Sequence, residues 1–118
     1  MQITIYHNPN CGTSRNVLAA IRAAGHAPTI VEYLKTPLTR DEIKALVERM
    51  RVPVRSVVRA KESLFAELGL ADAGDDALLD SMAKHPVLLN RPIVVTPGGA
   101  KLCRPSETVQ ALLVAAAP

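Results

Sequence analysis

Residues 3–33 constrain the fold more than any other part of the chain. Ile3-Thr4-Ile5-Tyr6 alternates apolar and β-favouring side chains, so residues 2–6 read as a strand. Residues 14–24 read as a helix, with Val17, Leu18, Ile21 and Ala24 on one face and Gly25 as its stop. Thr29-Ile30-Val31-Glu32-Tyr33 is then a second strand. Strand, helix and strand in so short a span form a βαβ unit, whose strands are most often parallel.

The segment that follows has a helical period. In "TRDEIKALVERM", Thr39 and Glu42 form a capping box, and Ile43, Leu46, Val47 and Met50 share one face. Pro53 can start a short helix running to Arg59, Ser63 to Leu68 a second ended by Gly69, and Asp76 to Lys84 a third stopped before Pro86. Beyond it, Ile93-Val94-Val95, the turn Thr96-Pro97-Gly98-Gly99 and Ala100-Lys101-Leu102-Cys103 read as an antiparallel hairpin. A last helix has Pro105 in its first turn and Val109, Leu112 and Leu113 on its inner face. The order βαβ, helices, ββα predicts an α/β fold: one mixed sheet flanked by helices, with a helical insertion at about residues 38–86.

A chain of 118 residues suffices for one domain with a single apolar core, so residues 1–118 are expected to form one domain. No apolar run approaches the roughly 18 residues of a spanning helix, and Met1-Gln2 leads directly into a strand pattern. The expectation is a cytoplasmic monomer with no membrane contact. The net charge is +3, but the basic residues are scattered and Tyr6, Tyr33 and Phe65 are the only aromatics, so no nucleic-acid partner is expected. Cys11 and Cys103 lie too far apart in sequence for a zinc-ligand motif, and two cysteines are too few for a disulfide framework. Reduced thiols and no bound metal or cofactor fit better.

Cys11 stands out by position. A lone cysteine is commonly an inert packing residue. Here it lies in the polar stretch "HNPNCGTSRN", between a strand and a helix, among His7, Asn8, Gly12, Thr13, Ser14 and Arg15. The unpaired N–H groups at the start of the helix favour thiolate over thiol, and would also bind an oxyanion. The spacing then separates thiol chemistries. A phosphate-wrapping loop of the tyrosine phosphatase type needs arginine six residues after the cysteine, where this chain has Val17. Dithiol exchange needs Cys-x-x-Cys, and Ser14 fills the second position. An oxidised or adducted Cys11 therefore calls for an external thiol.

Ser14 is read as the helix N-cap, with thiolate hydrogen bonding as an addition. His7 is either an ordinary loop residue or, when charged, a stabiliser of the thiolate. Arg59, Arg91 and Arg104 each lie near a helix end or strand edge, a position equally suited to solvated arginines and to ligands of an anion. If the Arg91-Pro92 bond is cis, it makes a sharp turn beside the sheet end. Cys103 is expected to pack at a strand end, and His26 and His85 carry no assigned chemistry.

"ITIYHNPNCGTSRN", "PVRSVVR", "NRPIVVTP" and "LCRPSE" together resemble the glutaredoxin-linked arsenate reductases, over residues 3 to about 113. The resemblance implies a thioredoxin-like fold with an inserted helical region and arsenate as substrate. It implies Cys11 as the nucleophile, with His7 and Ser14 supporting the thiolate. Arg59, Arg91 and Arg104 would hold the oxyanion, and Asn8, Gly12, Thr13 and Arg15 would also bind the substrate. Glutathione would be the co-substrate and glutaredoxin the protein partner. Two other readings of the lone thiol stay open at this point: a general monothiol oxidoreductase acting on glutathione mixed disulfides, and a transcription-linked adaptor of the same fold, which typically carries Cys-x-x-Cys.

Overall fold

The structure, a computed structural model, describes residues 1–115. The described chain divides into two compact units, one made of residues 1–36 with the segment from Arg91 on and the other of Pro37–Asn90. The first unit is α/β. It contains β1 (Thr4–Tyr6), α1 (Gly12–Ala23), β2 (Thr29–Val31), β3 (Ile93–Thr96) and β4 (Gly99–Leu102). Its four strands form one sheet in the order β2-β1-β3-β4. β1 and β2 are parallel, as the βαβ reading predicts, while β3 is antiparallel to both β1 and β4. This mixed sheet with flanking helices agrees with the expected thioredoxin-like class.

Side-chain alternation explains where the core sits. Ile3, just before β1, and Ile5 within it belong to the same core cluster, and Ile5 is paired in register with Val94 of β3. Val17, Leu18 and Ile21 of α1 pack on these residues, together with Val109, Leu112 and Leu113 near the C-terminus. Ile5, Val17 and Ile21 are fully buried, and each such side chain contributes roughly 1.5–3 kcal/mol of transfer free energy. Helix α1 ends where expected: Gly25 takes φ +90°, and the N–H groups of Gly25 and His26 return to the carbonyls of Arg22 and Ile21.

The first strand is shorter than residues 2–6, and the helix expected from Pro53 to Arg59 is a 3-10 turn at Val54–Val57; three further boundaries differ from the sequence reading, each for a local reason. Strand β2 stops at Val31 because the N–H groups of Lys35 and Thr36 both turn back to the Glu32 carbonyl, and Tyr33 is buried beyond the strand. Helix α1 begins at Gly12 rather than residue 14, which makes Cys11 its N-cap. The last helix is entered through a 3-10 turn at Ser106–Thr108, so Pro105 precedes it instead of occupying its first turn.

The second unit is helical. It contains α2 (Arg40–Met50), α3 (Ser63–Glu67) and α4 (Asp75–Lys84), joined by 3-10 turns at Val54–Val57, Leu70–Asp72 and Pro86–Leu88. The Thr39–Glu42 capping box is formed in both directions. Arg40 Nε and Nη2 bond Asp80 and Asp76, bracing α2 against α4. A short antiparallel bridge between Val58 and Leu89 closes the unit. No described helix is long and apolar enough to cross a membrane. Helix α5 (Val109–Ala115) then completes the first unit.

Candidate active site

The loop that ends β1 is tied down by its own polar groups. The Asn8 carbonyl accepts the Cys11 N–H at 3.0 Å, and the Asn8 side-chain oxygen accepts the Asn10 N–H at 2.9 Å. The Asn8 N–H donates to Ser14 Oγ at 3.1 Å. These three bonds run along a buried residue and hold Cys11 at the first turn of α1. Asn8 is a brace of the loop in this arrangement, and the Asn-x-Asn spacing is the sequence signal that marks such a turn.

Ser14 is not the cap. It is the third residue of α1 and fully buried, and its hydroxyl lies 2.6 Å from His7 Nδ1. What reaches the sulfur from Ser14 is its backbone N–H. For His7, burial lowers the pKa below 6.5, opposed by Glu32 and reinforced by Arg22 and Arg15. Burial thus favours the neutral ring, which supports the loop through the Ser14 hydroxyl.

Cys11 itself is 9% exposed. Burial pushes its thiol pKa up, but the Ser14 N–H, hydrogen bonds from Arg91 and Arg104 and the charge of Arg91 outweigh burial, and the pKa falls from 9.0 to about 7. About half of the thiol is then ionised at neutral pH. Arg104 Nη1 lies 3.6 Å from Cys11 Sγ and also donates to the Arg91 carbonyl at 3.0 Å. One guanidinium thus joins the thiolate to the start of the β3 segment. Both Arg91-Pro92 and Arg104-Pro105 are cis.

The fold therefore brings Cys11, Arg91, Arg104, Ser14 and, behind Ser14, His7 into one cluster. Gly12 and Thr13 are the first two helical residues, whose N–H groups have no partner within the helix. Arg15 is exposed and its Nη1 donates to the Pro9 carbonyl at 3.0 Å. Arg59 belongs to the helical unit, where its Nε meets Glu62 at 3.0 Å and its N–H bonds the Leu88 carbonyl at 2.7 Å. Cys103 has the opposite environment from Cys11: burial raises its pKa to about 12, in spite of the charge of Lys101. Both cysteines are free, and among the described residues no three His, Cys, Asp or Glu side chains gather as a metal site.

This contrast gives a direct expectation. Iodoacetamide should label Cys11 with a half-maximal rate near pH 7, and should leave Cys103 unlabelled up to pH 9 while the protein is folded. Mass spectrometry of the alkylated peptides reads both. Equal labelling of the two thiols would contradict the electrostatics described above.

The sequence profile of the ArsC family matches residues 6–112. A protein of Rhizobium meliloti (strain 1021) named arsenate reductase is 56% identical over 115 residues, which is 96% of this chain and 82% of that protein. One from Escherichia coli (strain K12), also named arsenate reductase, is 56% identical over 113 residues, or 94% and 80% of the two chains. The solved structure of an arsenate reductase from Vibrio cholerae superposes with a TM-score of 0.90 at 43% identity, covering 94% of this chain and 97% of that one.

Proposed function

The chain belongs to the ArsC family, and from that membership and the chemistry of the Cys11 cluster we propose that it reduces arsenate to arsenite through a covalent cysteine adduct, with glutathione and glutaredoxin as electron donors. The observation that carries this reading is a thiol with a pKa of about 7 facing two arginines at a helix N-terminus. Such a site suits a nucleophile that must meet a tetrahedral anion.

The Cys11 thiolate attacks arsenic, an S–As bond forms and an As–O bond breaks, and the departing oxygen takes up protons and leaves as water. Arsenic remains As(V). Charge on the remaining oxygens is held by Arg91, Arg104 and the N–H groups of Gly12 and Thr13. The glutathione thiol displaces a second oxygen as water and forms a second S–As bond. Glutaredoxin's thiolate then attacks the glutathione sulfur. The new S–S bond takes glutathione away, and the electron pair of the broken S–As bond stays on arsenic, which becomes As(III). Water cleaves the last S–As bond, releasing arsenite and the Cys11 thiol. A second glutathione reduces the glutaredoxin mixed disulfide, so two glutathione molecules are oxidised for each arsenate reduced.

Arg59 enters as a third arginine for the oxyanion on the strength of "PVRSVVR" alone. The chain is taken to act as a monomer and a single functional domain in the cytoplasm, a compartment reducing enough for two free thiols. A general monothiol oxidoreductase also gains from arginines that ionise its thiol, but its disulfide substrate develops no oxyanion for them to hold.

The test is arsenate-dependent formation of oxidised glutathione by the purified protein with glutaredoxin. Turnover should require arsenate and both thiol components. Phosphate has the same shape and charge but cannot be reduced by thiols, so it should inhibit competitively against arsenate without turnover. Glutathione oxidation that proceeds equally without arsenate would replace this reading with the monothiol oxidoreductase.

A further inference from the structure

The mechanism leaves unused a groove along α1. It has a volume of about 540 Å³ and is lined by His7, Pro9, Arg15, Leu18, Ala19 and Arg22. Residues 15, 18, 19 and 22 form one helical stripe, and His7 and Pro9 of the loop that carries Cys11 line its N-terminal end. The groove therefore starts at the loop that carries Cys11 and runs away from it along the helix. Its floor is aliphatic, from Leu18 and Ala19. Its two cations, Arg15 and Arg22, are exposed, and neither pairs with a carboxylate among the described residues.

We infer that this groove binds glutathione, with the carboxylate of its glycyl end on Arg15 and that of its γ-glutamyl end on Arg22. The inference rests on the reaction proposed above, and assigns a site to its external thiol. Three arguments favour it. The volume is right for a small ligand, and a protein face would instead bury about 800 Å² on each partner. The charges are complementary, since arginine is the residue suited to forked contacts with carboxylates.

Length supplies the third argument. Arg15 and Arg22 are seven residues apart, about 10 Å along the helix axis, which is within reach of glutathione, whose γ-linkage makes its carboxylate-to-carboxylate span somewhat longer than the roughly 10 Å of an α-linked tripeptide. Helical side chains lean towards the N-terminus, and Arg15 does so here: its Nη1 bonds the Pro9 carbonyl at 3.0 Å, and its Nη2 lies 3.7 Å from where a Cβ on Gly12 would stand. The Arg15 end of the groove is thus beside the Cys11 loop. The cysteinyl residue is the middle one of glutathione, but the γ-linkage puts the glutamyl α-carboxylate further from it than the glycyl carboxylate, so the thiol lies nearer the Arg15 end.

The test compares steady-state kinetics of wild type, Arg22→Glu, Arg22→Lys and Lys84→Glu, the last an exposed charge reversal remote from the groove in sequence that controls for net charge. Arg22→Glu should raise KM for glutathione about tenfold or more while KM for arsenate stays within twofold, Arg22→Lys should recover most of the loss, and Lys84→Glu should resemble wild type. S-methylglutathione, which cannot react, should compete with glutathione in wild type and lose that effect in Arg22→Glu. If wild type turns over arsenate and Arg22→Glu keeps a wild-type KM for glutathione, the groove assignment is wrong and the proposed reaction stands. If instead KM for glutaredoxin rises and that for glutathione does not, the groove docks a protein and this inference is overturned. A wild type inactive on arsenate would remove the reaction itself, which is a separate result.

Discussion

Cys11→Ser should lower arsenate-dependent glutathione oxidation by about 10⁴-fold or more, to the uncatalysed background, with the fold retained. The reason is chemical more than structural. A serine hydroxyl stays protonated at neutral pH, so the Ser14 N–H and the two guanidiniums would face a neutral group and no nucleophile would remain. The substitution is nearly isosteric, and circular dichroism should be unchanged. Comparing the two proteins also isolates the thiolate's part in stability. A group whose folded pKa is depressed from 9.0 to about 7 stabilises the fold fully above pH 9, and that contribution fades as pH falls through 7. The stability difference between wild type and Cys11→Ser, measured by urea unfolding, should therefore be larger at pH 9 than at pH 6. Residual turnover in Cys11→Ser above a few per cent would remove the nucleophile assignment.

Much of the scaffold under this cysteine is legible in the sequence because its elements are periodic and bounded by local signals. The alternation at residues 3–6 and the apolar stripe of α1 make the βαβ unit readable, and Thr39 with Glu42 marks the start of α2 without reference to anything distant. The start of α1 is harder to place. Cys11, Thr13 and Ser14 are all small or polar, and nothing local says which of them caps. The answer depends on His7, whose buried ring takes the Ser14 hydroxyl inward. Its burial also sets its protonation, and burial is a tertiary property that a motif does not carry. Arg104 is the plainest case: it meets Cys11 across 93 residues of chain, through the register of the β3–β4 hairpin. The arginine is visible in the sequence, but composition, periodicity and spacing do not name its neighbour; only the family resemblance puts the two together.

That long-range contact makes Arg104→Ala the second large effect, and one that separates two functions of the same guanidinium. Arg104 Nη1 donates to both Cys11 Sγ and the Arg91 carbonyl, so its loss should raise the Cys11 pKa from about 7 towards 9 and slacken the tie to Arg91. Alkylation should report the first effect as a shift of its half-maximal rate to higher pH by about one unit, as befits the loss of one of several stabilising partners. Arsenate turnover at pH 7 should fall further, by about 10²–10³-fold, because the arginine is also needed to hold charge on the oxyanion as the adduct forms. The two effects part at high pH. At pH 9 most of the thiol in Arg104→Ala is ionised and alkylation should return to near the wild-type rate, while arsenate reduction should remain low. Recovery of both together would mean that Arg104 acts on the thiol alone and makes no contact with the substrate in the transition state.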